Sequence, residues 1–160
     1  MLDYLHRRFP NAKIDWVVET SFASIVAAHP LVHRMIPLDL KGLKASWTSW
    51  KRLFRDIRSL RHLTYDVVFD LQRNCKSGFI TACASSPVKV GFGRHTVREW
   101  PNILATNRRF DVDKKANIRQ QYISLIQQHF GDDSTPVIQG VRFTIEPPEQ
   151  QKMQKLLHLA

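Results

Sequence analysis

Cysteine, glycine and acidic side chains are all scarce in this 160-residue chain, at 2, 6 and 14 residues. Cys75 and Cys83 stand on one expected helix, at a spacing that fits neither a zinc site nor a disulfide framework. Free thiols in a reducing cytoplasm follow. No glycine-rich loop of the kind that wraps a phosphate is present, and neither G-x-S-x-G nor C-x-x-C occurs. Long apolar runs are missing too. Nothing reaches the length of a membrane span, and MLDYLHRRFP lacks a signal-peptide core. Any membrane contact is therefore expected to be peripheral. The histidines (His6, His29, His33, His62, His95, His129, His158) show no pair at metal-ligand spacing on one element, so no metal site is expected.

Against the few acids stand 24 lysines and arginines, a formal charge of +10. That excess suits an anionic partner: phosphate, nucleotide, nucleic acid or membrane surface. It suits equally a basic soluble protein with no polyanion partner. The chain is long enough for one domain with a core, and its composition, 43% hydrophobic and 24% charged, is globular.

Strand-like and helix-like segments alternate. Leu2 to Arg8 reads as a helix end, broken by Pro10-Asn11. Ile14 to Val18 reads as a strand, followed by a short helix capped by Ser21, and Val32 to Leu38 as a second strand. A long amphipathic helix is expected from Thr48 or Ser49 to about His62. Trp50, Leu53, Phe54, Ile57 and Leu60 share one face of it, and its basic face is either merely solvated or suited to an anionic membrane. Tyr65 to Leu71 is a third strand, Lys76 to Ala84 a helix, and Val88 to Phe92 a fourth strand. An irregular stretch follows to about Asp113, then a helix from Ala116 to Phe130 whose apolar face includes Ile118. A strand at Val141 to Ile145 and a helix opening at Pro147-Pro148 close the pattern. Such alternation implies βαβ crossovers, a parallel sheet and an α/β fold.

Two constellations could carry chemistry. Asp70, Gln72, Arg73, Asn74, Lys76 and Ser77 follow the apolar run Val67-Val68-Phe69. Ligands in open α/β sheets bind outside the carboxyl ends of strands, and the start of a helix favours an anion. The alternative is that Asp70 and Gln72 only satisfy the turn. The second constellation is GFGRHTVREW, residues 91–100, in which Arg94 and Arg98 follow two glycines. Arginine offers a fork that matches phosphate and carboxylate; the alternative is an idle, solvated loop.

The ordered segments RRFPNAKIDWVVE, AAHPLVHRMIPLDL, RSLRHLTYDVVFDLQ with a downstream KSG, KVGF and NRRFDVDKK resemble the N-terminal domain of the bacterial lipopolysaccharide heptosyltransferases, glycosyltransferase family 9. The resemblance is strongest to members that add the first heptose of the inner core. It implies a Rossmann-like parallel sheet forming the N-terminal half of a two-domain GT-B fold. Residues 1–146 would be the acceptor-binding domain lacking its first strand, and 147–160 the start of an interdomain helix. It implies an ADP-heptose donor bound by a C-terminal domain absent from this chain, and a Kdo-lipid A-type acceptor. It also implies inverting transfer without metal or other cofactor at the cytoplasmic face of the inner membrane, and no nucleic acid. The family's aspartate base would precede the first helix and has no counterpart here, so the chain is expected to be inactive alone. Gln72, Lys76, Ser77, Arg94 and Arg98 match or neighbour cleft-facing positions and are the candidate acceptor-binding residues. Arg73 departs from the pattern, where glycine is usual. The rival reading is a non-catalytic basic module binding nucleic acid or an anionic surface.

Overall fold

The computed structural model describes residues 1–39, 55–58 and 60–134. They fall into two compact units, one of Leu2–Leu38 and one within Asp39–Val137.

In the first unit, helix α1 (Leu2–Arg8) buries Leu2 and Tyr4. Asp3 lies in its first turn and His6, Arg7 and Arg8 in its last, the signs that suit a helix dipole. Strand β1 (Asp15–Glu19) pairs in parallel with β2 (Arg34–Leu38), Asp15 opposite Arg34 and Glu19 opposite Leu38. A 3-10 turn (Thr20–Phe22) and the short helix α2 (Ala23–Ala27) make the crossover. Ser21 does not cap α2. It lies inside the 3-10 turn, and Phe22 takes the N-cap position without a side-chain hydrogen bond. His33 and Asp15 meet at 3.0 Å and tie the starts of the two strands together.

The second unit is a parallel sheet in the order β3 (Val67–Phe69), β4 (Val88–Phe92), β5 (Arg108–Phe110). Helix α3 (Cys75–Cys83) connects β3 to β4, a 3-10 helix (Trp100–Ala105) connects β4 to β5, and α4 (Ile118–Phe130) follows β5. The central strand β4 is the most buried, and it supplies the core. Val90, Phe92 and Leu125 of α4 are fully buried, Val112 joins them, and Val67, Phe69, Val88, Phe110 and Tyr122 pack around them. Parallel sheets are covered on both faces, which is why β3 reads as a continuous apolar run.

The α/β, parallel-sheet expectation holds. The irregular stretch expected up to Asp113 does not, because it contains the 3-10 helix and β5. Strand β5 is three residues long and two of them are exposed arginines, so it carries no apolar signal. Ile118 opens α4 but is 44% exposed, outside the buried face formed by Ile123, Leu125 and Ile126. Residues 55–58 and 60 are helical, with Ile57 and Leu60 buried as the apolar face requires. The rest of that expected helix, and the strand and helix expected beyond residue 140, lie outside the described residues.

Candidate functional site

Both polar constellations sit at carboxyl ends of adjacent parallel strands, and hydrogen bonds join them. After β3, Asp70 is 3% exposed. Its backbone N–H donates to Val90 O of β4 at 2.8 Å. Four donors converge on its carboxylate. Gln72 N and Arg73 N reach Oδ1 at 3.0 and 3.3 Å, while Ser77 Oγ and Asn102 Nδ2 reach Oδ2 at 3.0 and 2.6 Å. A buried carboxylate is tolerated only when so satisfied. Asp70 thereby ties together the end of β3, the first turn of α3 and the 3-10 helix. With these donors on both oxygens it is a structural group, poorly placed to take a proton from a substrate.

Helix α3 is capped reciprocally. Asn74 Oδ1 accepts from Ser77 N at 2.9 Å, and Ser77 Oγ accepts from Asn74 N at 3.4 Å. The N–H of Cys75 donates to Glu99 Oε2 at 2.7 Å. The anion taken up by this helix start is the chain's own Glu99.

Arg73 joins the two loops. Its φ is +63°, left-handed backbone that a side chain other than glycine enters at a cost. In that conformation its carbonyl accepts from Arg98 N at 3.2 Å and Glu99 N at 3.0 Å. Its guanidinium lies 4.7 Å over the Phe92 ring and donates to Gln121 Oε1 at 2.8 Å. Gln121, 7% exposed, is held in turn through Nε2 by Ala116 O at 2.7 Å and Lys114 O at 3.3 Å.

The turn after β4 is built on Asp111. Its Oδ1 accepts from His95 N at 3.0 Å and Thr96 Oγ1 at 2.9 Å. Gly93 passes so close that a Cβ there would stand 2.5 Å from the same oxygen. The turn leaves Arg94 and Arg98 exposed.

Gln72, Lys76, Arg94 and Arg98 are exposed, and among the described residues their side chains make no hydrogen bond or ion pair. Ser77 differs, its hydroxyl being engaged with Asp70 and Asn74. Lys76 and Arg98 both act on Glu99. Its carboxyl is held below the usual range first by the Cys75 N–H that it accepts, then by these two positive charges. Arg94 stands on the same turn as Arg98. Asn102, Gln121 and Asp111 were invisible in the sequence as parts of this assembly, because their partners are 32, 48 and 15 residues away. Among the described residues, no group of three His, Cys, Asp or Glu side chains is placed to hold a metal ion, and no helix is long and apolar enough to cross a membrane.

Known proteins are similar to this chain. The lipopolysaccharide heptosyltransferase 1 of Escherichia coli K12 is 32% identical over 136 residues, covering 82% of this chain and 42% of that protein. The structure of E. coli heptosyltransferase WaaC with ADP superposes with a TM-score of 0.77 at 31% identity, over 87% of this chain and 44% of that one. WaaC with ADP-2-deoxy-2-fluoro heptose gives the same TM-score at 30% identity. The chain thus spans less than half the length of these relatives. Residues 53–158 match glycosyltransferase family 9 (heptosyltransferase). That match takes in β3, β4, β5 and both loops at their carboxyl ends, and by it the chain belongs to glycosyltransferase family 9.

Proposed function

We propose that this chain is the acceptor-binding part of an ADP-heptose:lipopolysaccharide heptosyltransferase, of the kind that adds the first inner-core heptose to a Kdo-lipid A-type acceptor. The observation that carries the reading is the junction at Arg73. One carbonyl joins the loop after β3 to the turn after β4, so that Lys76, next to Cys75, and Arg98, next to Glu99, flank the Cys75 N–H to Glu99 contact. Two cations at adjacent strand ends suit the anionic groups of a phosphorylated, carboxylated sugar lipid. Arg94 and Gln72 extend that surface, and Ser77 supports it from within.

In this reading residues 1–146 make up the acceptor domain, and the bound ADP and ADP-sugar analogue of WaaC mark the donor class. The chain's own residues bind and orient the acceptor at the cytoplasmic face of the membrane. Deprotonation of the acceptor hydroxyl is general-base work, and in this reading it falls to a residue other than these candidate binding residues.

The test is a titration of the chain with a soluble, deacylated Kdo-phosphosugar. Arg98→Ala and Lys76→Ala are each expected to weaken binding about tenfold, the loss of one charge-assisted contact, with unfolding midpoints unchanged. Parental affinity in both variants overturns the assignment. Tight duplex DNA binding with a steep salt slope, and no sugar binding, would support the basic-module alternative.

A further inference from the structure

Helix α3 and the 3-10 helix enclose a shallow depression of about 190 Å³, lined by Cys75, Gly78, Phe79, Ala82, Pro101, Leu104 and Ala105. Apart from the Cys75 thiol, the side chains lining it are apolar. Around it, apolar groups project into solvent: Phe79 is 42% exposed, Trp100 60% and Leu104 74%. Single exposed apolar residues are ordinary, but a contiguous group marks a contact surface.

The rim says what kind of contact. Lys76 adjoins Cys75 at one end of α3. At the other, Lys89 Nζ donates to the carbonyl of Ala82, which lines the depression, at 2.9 Å. Arg109 donates to Thr106 O at 2.6 Å, next to Ala105. Arg98 adjoins Glu99, and the Glu99 carboxylate in this ring is engaged by the Cys75 N–H. An apolar patch edged by four cations, with Trp100 beside them, is complementary to a bilayer bearing anionic headgroups. Apolar groups enter the acyl boundary, tryptophan sits at the interface and cations meet phosphates.

We propose that the face formed by Phe79, Trp100, Pro101 and Leu104, with Lys76, Lys89, Arg98 and Arg109 at its edge, docks on an anionic lipid bilayer. This rests on the proposed lipid-linked acceptor and adds where the chain meets the membrane that carries it. It also gives Lys76 and Arg98 a position at the boundary between docking face and acceptor site.

Flotation of the full chain with phosphatidylcholine vesicles, with and without phosphatidylglycerol, tests this. Binding is expected only with the anionic lipid and to fall with added salt. Leu104→Asp and Phe79→Ser alter exposed side chains and are each expected to lower vesicle affinity about tenfold, with unchanged circular dichroism. Tryptophan emission should shift to the blue on binding, and Trp100→Phe should remove that shift. Vesicle affinity unchanged by Leu104→Asp and Phe79→Ser overturns the docking face, as does a patch-dependent dimer that ignores vesicles. Deacylated Kdo-phosphosugar separates the two readings. Leu104→Asp should bind it as the parent does. Failure of the parent to bind it, with vesicle docking intact, counts against the acceptor reading alone.

Discussion

The loop after β3 and the turn after β4 occupy equivalent places at the ends of neighbouring parallel strands, yet they use their polar residues in opposite ways. The first turns inward. Asp70, Asn74 and Ser77 spend their hydrogen bonds on one another, on Asn102 and on nearby N–H groups. The second is pinned at its base by Asp111 and Gly93 and presents Arg94 and Arg98 outward. A polar cluster at a strand end is thus two things at once, a frame and a surface. Residue type alone does not distinguish them; the number of internal partners does.

Removing the frame should cost most. Asp70→Ala leaves buried donors of Asn102, Ser77 and the loop backbone without an acceptor, and an expected loss of about 3 kcal/mol would appear in urea unfolding. A loss below about 1 kcal/mol would mean that water replaces the carboxylate and that the loop is a frame in geometry only. Gly93→Ala should follow at about 2 kcal/mol, because the new methyl displaces the Asp111 carboxylate from His95 and Thr96. Combined with Asp111→Ala it should cost less than the two changes summed, a coupling that a double-mutant cycle reads.

Arg73 sharpens the contrast, since it belongs to both loops. Arg73→Ala keeps the left-handed backbone cost and loses the Phe92 and Gln121 contacts, so a loss of about 1–2 kcal/mol is expected. Arg73→Gly loses the same contacts but relieves the backbone, so it should unfold within about 1 kcal/mol of the parent. If alanine is no worse than glycine in calorimetry, the φ of +63° carries no cost.

The smallest effect is a pH dependence outside both loops. His129 lies in edge contact with Phe69, Phe110 and Phe130. Burial first, and Arg108 second, lower its pKa from the ordinary 6.5. The neutral imidazole is favoured in the folded chain, so the unfolded chain takes up the proton more readily. The contribution is complete above about pH 6.5 and is lost as the pH falls toward the lower folded-state value. Thermal midpoints of His129→Gln should vary less with pH across that window than those of the parent.

The sequence made the frame's position legible, and its wiring illegible. VKVGF at 88–92 reads directly as a buried strand and is one. Val67-Val68-Phe69 places the loop after it, and Lys76 to Ala84 locates α3 to within one residue at each end. Strand β5 escaped because Arg108 and Arg109 pair through their backbone with Val90 and Gly91 while their side chains stay exposed. The 3-10 helix escaped because WPNILA has no helical period and leaves Trp100 and Leu104 in solvent. Capping of Cys75 by Glu99 spans 24 residues, and no local pattern encodes it. The unusual arginine at 73 was visible as a departure from the family's glycine. Only the backbone angle explains what glycine supplies there, and only the Phe92 and Gln121 contacts explain how an arginine is held.

The contact between Cys75 and Glu99 has a chemical corollary. The thiol is exposed, yet the Glu99 carboxylate beside it raises its pKa above the ordinary 9.0. Alkylating agents attack the thiolate, so Cys75 should react more slowly than its exposure suggests for as long as Glu99 stays docked. Its labelling rate is then a clock built into the chain. It should run slow when the two loops are joined, fast when Glu99 swings away, and nearly stop when a ligand covers the depression that the thiol lines.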